Sequence, residues 1–186
     1  MQYLTKEELI DQLDYIHSAP KNQGEVNMLV IRPKSNHREV LAEVEASPEE
    51  GFHGDRWALG KNEDPEHLAQ ITLMNYRVLS LIAFNDEERM ALAGDNIVVD
   101  LDLSEENLRP GDKIAIGEVE LEITPQPHNG CKKFAERFGV EALGYINAMA
   151  RRHLHYRGIY AKITKAGKIR KGDKLVKMLV ERDRAY

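Results

Sequence analysis

The feature that most constrains the fold is a series of short strand-like segments separated by glycine turns. The run KIAIGEVELEIT, residues Lys113–Thr124, alternates apolar and polar residues on both sides of Gly117. Such alternation is typical of half-buried strands, and a central glycine favours a tight hairpin turn. Three more strand-like segments close the chain: Ile159–Ile163, Lys168–Arg170 and Lys174–Leu179. Because hairpins join antiparallel strands, we predict an antiparallel sheet rather than a repeat of strand–helix–strand units.

Further strands and several helices are predicted elsewhere in the chain. The additional strands are Glu25–Arg32, Arg38–Ala46, Ile71–Met74 and Ile97–Val99. The helices are Lys6–His17, one capped by Asn75 and running through Ala83, one capped by Asn85 and running through Ala91, Cys131–Phe138 and Val140–Leu154. The predicted fold class is α+β, predominantly antiparallel β, with peripheral helices around a barrel-like domain. That domain covers residues 25–186 and follows an N-terminal helix and linker at residues 1–24.

The charge balance argues against nonspecific nucleic-acid binding. The chain has 26 Lys and Arg against 31 Asp and Glu, a net charge of −5, whereas binding along a phosphate backbone needs a basic face. The basic residues are dense in segment 151–177, which is either a solvated face or the site of a small anion. No apolar run approaches the ~20 residues that span a bilayer, and the N-terminal residues do not resemble a secretory signal. We therefore expect a cytoplasmic protein without membrane or nucleic-acid partners.

Common catalytic motifs are missing from the sequence. It contains no Walker-type phosphate loop, dinucleotide-binding fingerprint, GxSxG nucleophile elbow or HExxH pair, which argues against the enzyme classes that depend on them. The single cysteine, Cys131, excludes an internal disulfide and a zinc site built on several cysteines. A lone thiol is consistent with a reducing compartment.

Cys131 lies in the segment TPQPHNGCKKFAERFG, residues Thr124–Gly139, where a strand is predicted to end and a helix to begin. Backbone N–H groups and the helix dipole at a helix N-terminus stabilise a thiolate, which can attack an electrophilic sulfur or coordinate a soft metal. The alternative is that Cys131 is a small buried residue packed beside Phe134 and Phe138. A plain anion-binding domain with a structural cysteine therefore stays open.

Two further segments carry candidate binding residues. The loop GFHGDRW, residues Gly51–Trp57, contains Asp55 and Arg56, and an arginine there suits a phosphate or carboxylate. Gly94–Asn96 opens a strand, and Asn96 can offer a donor and an acceptor to a ligand. Both segments are also compatible with ordinary turns and surface loops.

Taken together, these landmarks resemble the MOSC family, named after the C-terminal domain of molybdenum cofactor sulfurase. The resemblance covers Val26–Met178 and includes GFHGDRW, ITLMN, GDNIVVDLDL, LRPGDKIAIGEVELEIT and RGIYAKITKAGKIRKGD in that order. It implies a compact, barrel-like β domain that occurs alone or fused behind a desulfurase that uses pyridoxal phosphate. Pyridoxal phosphate is not expected in a chain that lacks the desulfurase domain.

The resemblance also implies a function. Some MOSC proteins bind the molybdenum cofactor (molybdopterin) and reduce N-hydroxylated compounds with electrons from a partner. By that resemblance, Cys131 would be the catalytic residue and metal ligand, and Asp55, Arg56, Asn96, Thr124, His128 and Arg157 would bind the cofactor. Alternatively, Cys131 would carry a persulfide supplied by a separate desulfurase, with no turnover of its own. Many relatives have proline directly before the cysteine, whereas this chain has the variant PHNGC.

A geometric prediction follows from these assignments. Cys131, Arg56, Asn96 and Arg157 should converge on one concave pocket with an accessible sulfur, and the loop Ser47–Pro65 should form one of its walls. Helix residues next to a site residue face other directions, so Lys132 and Lys133 are expected to point away.

Overall fold

The structure is a computed structural model that describes residues 2–178. The strands are β1 (Gln23–Ile31), β2 (Glu39–Leu41), β3 (Glu43–Ser47), β4 (Gly51–Phe52), β5 (Ile71–Asn75), β6 (Ile97–Val99), β7 (Lys113–Ile116), β8 (Val119–Ile123), β9 (Ile159–Lys165), β10 (Gly167–Arg170) and β11 (Lys174–Lys177). The helices are α1 (Lys6–Asp11), α2 (Leu13–His17), α3 (Trp57–Gly60), α4 (Tyr76–Ile82), α5 (Glu87–Ala91), α6 (Lys132–Phe138) and α7 (Val140–Ile146), with 3-10 turns at Lys61–Glu63 and Met149–Leu154. The end of the strand predicted at Lys174–Leu179, and of the predicted domain, lies outside the described residues.

Seven of the strands within residues 2–178 close into a barrel. Their order is β11-β7-β8-β9-β5-β6-β1, and β11 pairs again with β1 to complete the circle. Every pair in this circle is antiparallel except β5 with β6. Strand β2 extends the sheet beside β1, and β10, β3 and β4 form a small second sheet. The predicted fold class, a predominantly antiparallel α+β barrel with peripheral helices, is confirmed.

The hairpin predicted at Lys113–Thr124 is present. Strands β7 and β8 pair from Lys113 with Glu122 to Ile116 with Val119. Gly117 in the turn has a φ of 56°, and a Cβ at this position would lie 2.7 Å from the carbonyl oxygen of Lys168. Glycine is therefore required both for the left-handed backbone and for the close approach of β10.

Apolar residues form one cluster inside the barrel and a second between the barrel and its helices. Strand β1 contributes residues to both clusters, because Leu29 packs inside the barrel while Met28 and Val30 pack against the helical layer. Leu9 of α1 and Ile16 of α2 belong to the outer cluster. The N-terminal helices thus cover the outside of the barrel. No helix found among residues 2–178 is long and apolar enough to cross a membrane.

The strand predicted at Arg38–Ala46 is two strands. β2 pairs with β1, whereas β3 pairs with β10 in the other sheet. The chain changes sheets at Ala42, so Val40 is 48% exposed although Val44 and Ala46 are buried. Alternation along the segment is real, but it does not belong to one continuous strand.

Three helix boundaries also differ from the predictions. The segment Lys6–His17 is interrupted at Gln12 and forms α1 and α2. Asp86, not Asn85, caps α5 by accepting the Arg89 N–H, while Asn85 has a left-handed φ of 57°. The helix predicted at Val140–Leu154 stops after Ile146 and continues as a 3-10 turn.

Candidate functional site

Cys131 occupies the N-cap position of α6, and the chain just before it is held against α7. The Gly130 N–H donates to Asn147 Oδ1 and the Asn147 amide donates to the Gly130 carbonyl, both at 2.9 Å. A Cβ on Gly130 would clash with Leu143 Cδ1. A glycine before the cysteine therefore permits the close packing that fixes the segment.

The Cys131 thiol is exposed, unlike the buried Phe134 and Phe138 on the same helix. It makes no capping hydrogen bond. Partial burial raises the pKa of this thiol, but the backbone N–H groups of Phe134 and Lys133 and the charge of Arg157 together lower it below its ordinary value. The thiol is thus accessible and more easily ionised than a free cysteine, which argues against a buried structural cysteine.

The thiol opens on a cavity of about 290 Å³. Six cationic side chains line this space, which we call the basic cavity: Arg32, Arg38, Arg56, Lys133, Arg137 and Arg157. Among the described residues lining it, Asp95 supplies the one carboxylate.

Two of these arginines are neutralised by buried aspartates. Arg32 donates to Asp55 through Nε at 3.0 Å and Nη2 at 3.2 Å, and Nη2 also donates to Asn96 Oδ1 at 3.1 Å. Arg157 Nη1 donates to both carboxylate oxygens of Asp95 at 2.8 Å. These pairs lie at the walls of the cavity and leave its remaining positive charge uncompensated.

Arg38, Arg56, Lys133 and Arg137 supply the excess charge. Burial, and then repulsion from Arg137, Arg56 and Arg32, lowers the pKa of Arg38. Its Nε is buried without a hydrogen-bond partner within the described chain. Guanidinium groups crowded in this way favour a bound anion, since an anion supplies acceptors and relieves the repulsion.

His128 forms part of the wall beside Asp95 and Arg157. Burial, followed by the charges of Arg157 and Arg32, holds the pKa of His128 well below its ordinary value. Its Nε2 lies 3.8 Å from Asp95 Oδ1, its ring centroid lies 4.4 Å from that of Tyr160, and its Nδ1 is buried without a partner in residues 2–178. At neutral pH this imidazole is therefore uncharged and can still accept or donate a hydrogen bond.

A second cavity of about 190 Å³ lies on the other side of this wall. His128, Asn129 and Arg157 line both spaces. The second space, which we call the proline cavity, is also lined by Thr124, Pro125, Pro127, Ile146, Tyr156 and Ile159. The segment that leads to Cys131 thus separates two cavities of different character.

Comparison with known proteins identifies the family. The family model described as the MOSC domain matches residues 66–176. This chain belongs to the MOSC family. The matched span contains Cys131 and its segment but begins after Asp55 and Arg56.

Solved structures agree with the MOSC fold. YuaD from Bacillus subtilis has a TM-score of 0.61 at 17% identity, covering 85% of this chain and 97% of that one. YiiM from Geobacillus stearothermophilus has a TM-score of 0.55 at 18% identity, covering 84% of this chain and 75% of that one. YiiM from Escherichia coli has a TM-score of 0.53 at 18% identity, covering 84% and 70%. No curated protein matches the sequence significantly.

The structure brings four of the candidate residues in this MOSC domain to one cavity: Cys131, Arg56, His128 and Arg157. Asn96 is fully buried behind that cavity, where it accepts hydrogen bonds from Arg32 and the Thr72 hydroxyl. Asp55 also lies behind it, paired with Arg32.

The remaining candidate, Thr124, lines the proline cavity and donates to the Leu68 carbonyl at 2.6 Å. The loop Ser47–Pro65 reaches the basic cavity through Arg56 alone among the described lining residues. Lys133 lines the basic cavity, so the expectation that it points away is wrong.

Sequence reasoning missed Arg32 and Arg38, and it did not assign Arg137 to the binding site. One signal was available on α6, where Lys133 and Arg137 are four residues apart and hence share a helical face. Arg32 and Arg38 follow β1 and reach the site because a barrel strand ends there. No local pattern marks that position.

Proposed function

We propose that this MOSC protein binds the molybdenum cofactor at Cys131 and the basic cavity, and that it acts in oxidoreductase chemistry. The observation that carries the proposal is an accessible thiol of lowered pKa beside four cationic side chains without a carboxylate partner in the cavity. We extend the proposal to the reduction of N-hydroxylated compounds with electrons from a separate protein.

The residues present fit this cofactor. A thiolate is the soft ligand that suits a soft metal centre, and guanidinium groups bind phosphate through paired hydrogen bonds. Cys131 would hold the metal, and Arg38, Arg56 and Arg137 would hold the phosphate, where the unpartnered Nε of Arg38 gains an acceptor. When bound, the cofactor supplies the electron-transfer chemistry that the side chains lack.

Metal analysis tests this proposal directly. The wild-type chain and Cys131→Ser, produced in a host that makes the cofactor, are purified and assayed for molybdenum and for released pterin. We expect near-stoichiometric molybdenum on the wild type and a large loss on Cys131→Ser, because a hydroxyl is a poor ligand for a soft metal. An exposed arginine in β10, Arg170, offers the matched control Arg170→Gln, which should retain the metal. Well-folded wild type without molybdenum contradicts the proposal.

A second candidate function is that of a sulfur carrier, which the exposure of Cys131 favours because a partner protein can reach the thiol. The Cys131 thiolate would attack the terminal sulfur of a persulfide on a separate desulfurase. The S–S bond of that persulfide breaks, the desulfurase recovers its thiolate, and a persulfide forms on Cys131.

Intact mass spectrometry tests sulfur transfer. After incubation with a desulfurase and cysteine, the wild type should gain the mass of one sulfur atom and Cys131→Ser should gain none. An unchanged wild-type mass excludes the carrier role. In either function we propose the cytoplasm as the compartment, since a reducing environment preserves a reactive thiol.

A further inference from the structure

The proline cavity differs chemically from the basic cavity beside it. Its interior is formed by Ile123, Ile159, Tyr156 and Thr124, which are all at most 5% exposed. Besides the histidines His128 and His155, the acidic and basic residues described in its lining are Glu105, Arg152 and Arg157, and Arg157 is paired with Asp95. Such a space disfavours an ionised ligand and suits an uncharged, largely apolar one.

Hydrogen-bonding capacity is left over in the wall that the proline cavity shares with the basic cavity. His128 Nδ1 and Arg157 Nε are both buried, and neither has a partner in the described chain. The His128 side chain is only 6% exposed. Buried polar atoms are nearly always satisfied, so two such atoms in the shared wall indicate a ligand or ordered water that completes them.

The rigid residues that line the cavity favour a flat molecule. The buried Tyr156 and the prolines Pro125 and Pro127 line it, and these rigid surfaces favour stacking and edge contacts with a ring. An engineered cavity of roughly 150 Å³ accommodates benzene. A cavity of about 190 Å³ is therefore suited to a small fused ring.

We propose that the proline cavity is a second ligand site, which takes an uncharged, flat heteroaromatic molecule with a hydrogen-bonding edge at His128 and Arg157. This goes beyond the proposed function, because the site is formed by the chain itself and does not require the cofactor. The molecule would lie across the His128–Arg157 wall from Cys131, so one protein would hold an anion and a neutral ring side by side.

Methyl NMR of protein purified without cofactor tests this site. Indazole is a neutral fused ring with a donor and an acceptor on adjacent atoms, and it serves as the probe. Ile123, Ile146 and Ile159 line the proline cavity, whereas no isoleucine is among the described residues lining the basic cavity. We expect indazole to shift the δ1-methyl signals of these three isoleucines, while the exposed Ile10 of α1, which is not among the residues lining either cavity, stays unchanged. No shift at millimolar indazole overturns the proposal.

Two variants separate the cavities. His128→Phe retains an aromatic ring beside Tyr160 but removes Nδ1, and it should weaken indazole binding roughly tenfold, as expected for one lost hydrogen bond. Arg38→Gln alters only the basic cavity. It should leave the affinity for indazole unchanged and weaken the binding of inorganic phosphate. Equal loss of indazole binding in both variants contradicts a separate site. If His128→Phe does not fold, the isoleucine shifts of the wild type still decide the question.

The same titration on cofactor-loaded protein tests whether the pterin ring of the proposed cofactor occupies the proline cavity, because that ring is itself a flat heterocycle. If the sites are separate, indazole should shift the same methyl signals in molybdenum-containing protein. If loading abolishes those shifts, the proline cavity holds the pterin and the proposed second ligand is wrong. Failure to load molybdenum bears on the proposed function alone, since the cofactor-free measurement stands without it.

Discussion

Two buried arginine–aspartate pairs border the basic cavity, and they are built differently. In the Arg32–Asp55 pair, two nitrogens of the guanidinium bind two oxygens of the carboxylate. In the Arg157–Asp95 pair, a single nitrogen, Nη1, contacts both oxygens at 2.8 Å, and Nε is left without a partner in the described residues. The first geometry uses the planar guanidinium fully, and the second does not.

The two carboxylates respond oppositely to burial. Burial raises the pKa of Asp55, but the Arg32 guanidinium and the backbone N–H groups of Trp57 and Arg32 bring it below the ordinary value. Burial raises the pKa of Asp95 above its ordinary value despite the charges of Arg157 and Arg32. Asp55 therefore stabilises the fold as a fully bonded anion, whereas Asp95 is an incompletely compensated charge at the site.

Substitution by asparagine should separate these roles most clearly. Asp55→Asn places an amide where Oδ2 accepts from the Arg32 N–H, Arg32 Nε and Asn96 Nδ2. We expect it to lower the free energy of unfolding by about 3 kcal/mol, because a buried ion pair loses one partner. Asp95→Asn should cost only about 1 kcal/mol, because the raised pKa of Asp95 means that the folded state favours an uncharged side chain at this position, and the amide oxygen can still accept from Arg157. Urea unfolding measures both, and equal losses would remove the distinction between the pairs.

A smaller effect should appear in the pH dependence of stability. Asp55 has a lowered pKa, so its contribution is complete above the ordinary value of 3.8 and disappears as pH falls through its folded-state pKa. The stability advantage of the wild type over Asp55→Asn should therefore shrink below about pH 4. Asp95 has a raised pKa, so its protonation favours the folded state. The advantage of the wild type over Asp95→Asn should grow as pH falls from 7 toward 4.

Urea titrations at pH 7, 5, 4 and 3 follow both differences. Each variant serves as the control for the other, since both remove one carboxylate near the same cavity. Parallel pH profiles for the two variants would show that the two aspartates titrate alike and would contradict the assigned pKa directions.

The sequence predicts the barrel better than it predicts the site. The β7–β8 hairpin is encoded locally, because alternation and Gly117 specify pairing within a few residues. Asn75 likewise indicates the start of α4, because it is the N-cap residue of that helix. The division of Arg38–Ala46 between two sheets depends on β10, more than a hundred residues away, and alternation alone contains no information about that partner.

Site residues were predictable where they lie within compact motifs. Cys131 and Arg56 line the basic cavity as expected, but Thr124 lines the proline cavity because β8 ends on the other side of the His128–Arg157 wall. Asn96 and Asp55 lie behind the cavity and orient Arg32. Barrel closure decides which strand ends meet, so the separation of the site into two cavities could not be seen along the chain.

The smallest expected effect is on the pKa of the Cys131 thiol, and it distinguishes the influence of the two arginine–aspartate pairs. The charge of Arg157 contributes to the lowered pKa of Cys131, and Arg157→Gln should therefore raise the thiol pKa. The rate of iodoacetamide alkylation, followed from pH 6 to 10, should shift to higher pH and fall a few-fold at pH 7, because the thiolate is the reactive form. Loss of Arg157 should be tolerated, since Asp95 protonates readily when its partner is gone.

The matched comparison is Arg32→Gln, which removes the other paired guanidinium. It should leave the alkylation profile nearly unchanged, because Arg32 is engaged by Asp55 and Asn96. Arg56→Gln adds a control at a cavity arginine that has no ion-pair partner within the described part of the chain, and circular dichroism checks that each variant is folded. If Arg32→Gln and Arg157→Gln shift the profile equally, the thiol responds to the total charge of the cavity. In that case the incomplete Arg157–Asp95 pair has no special influence on Cys131.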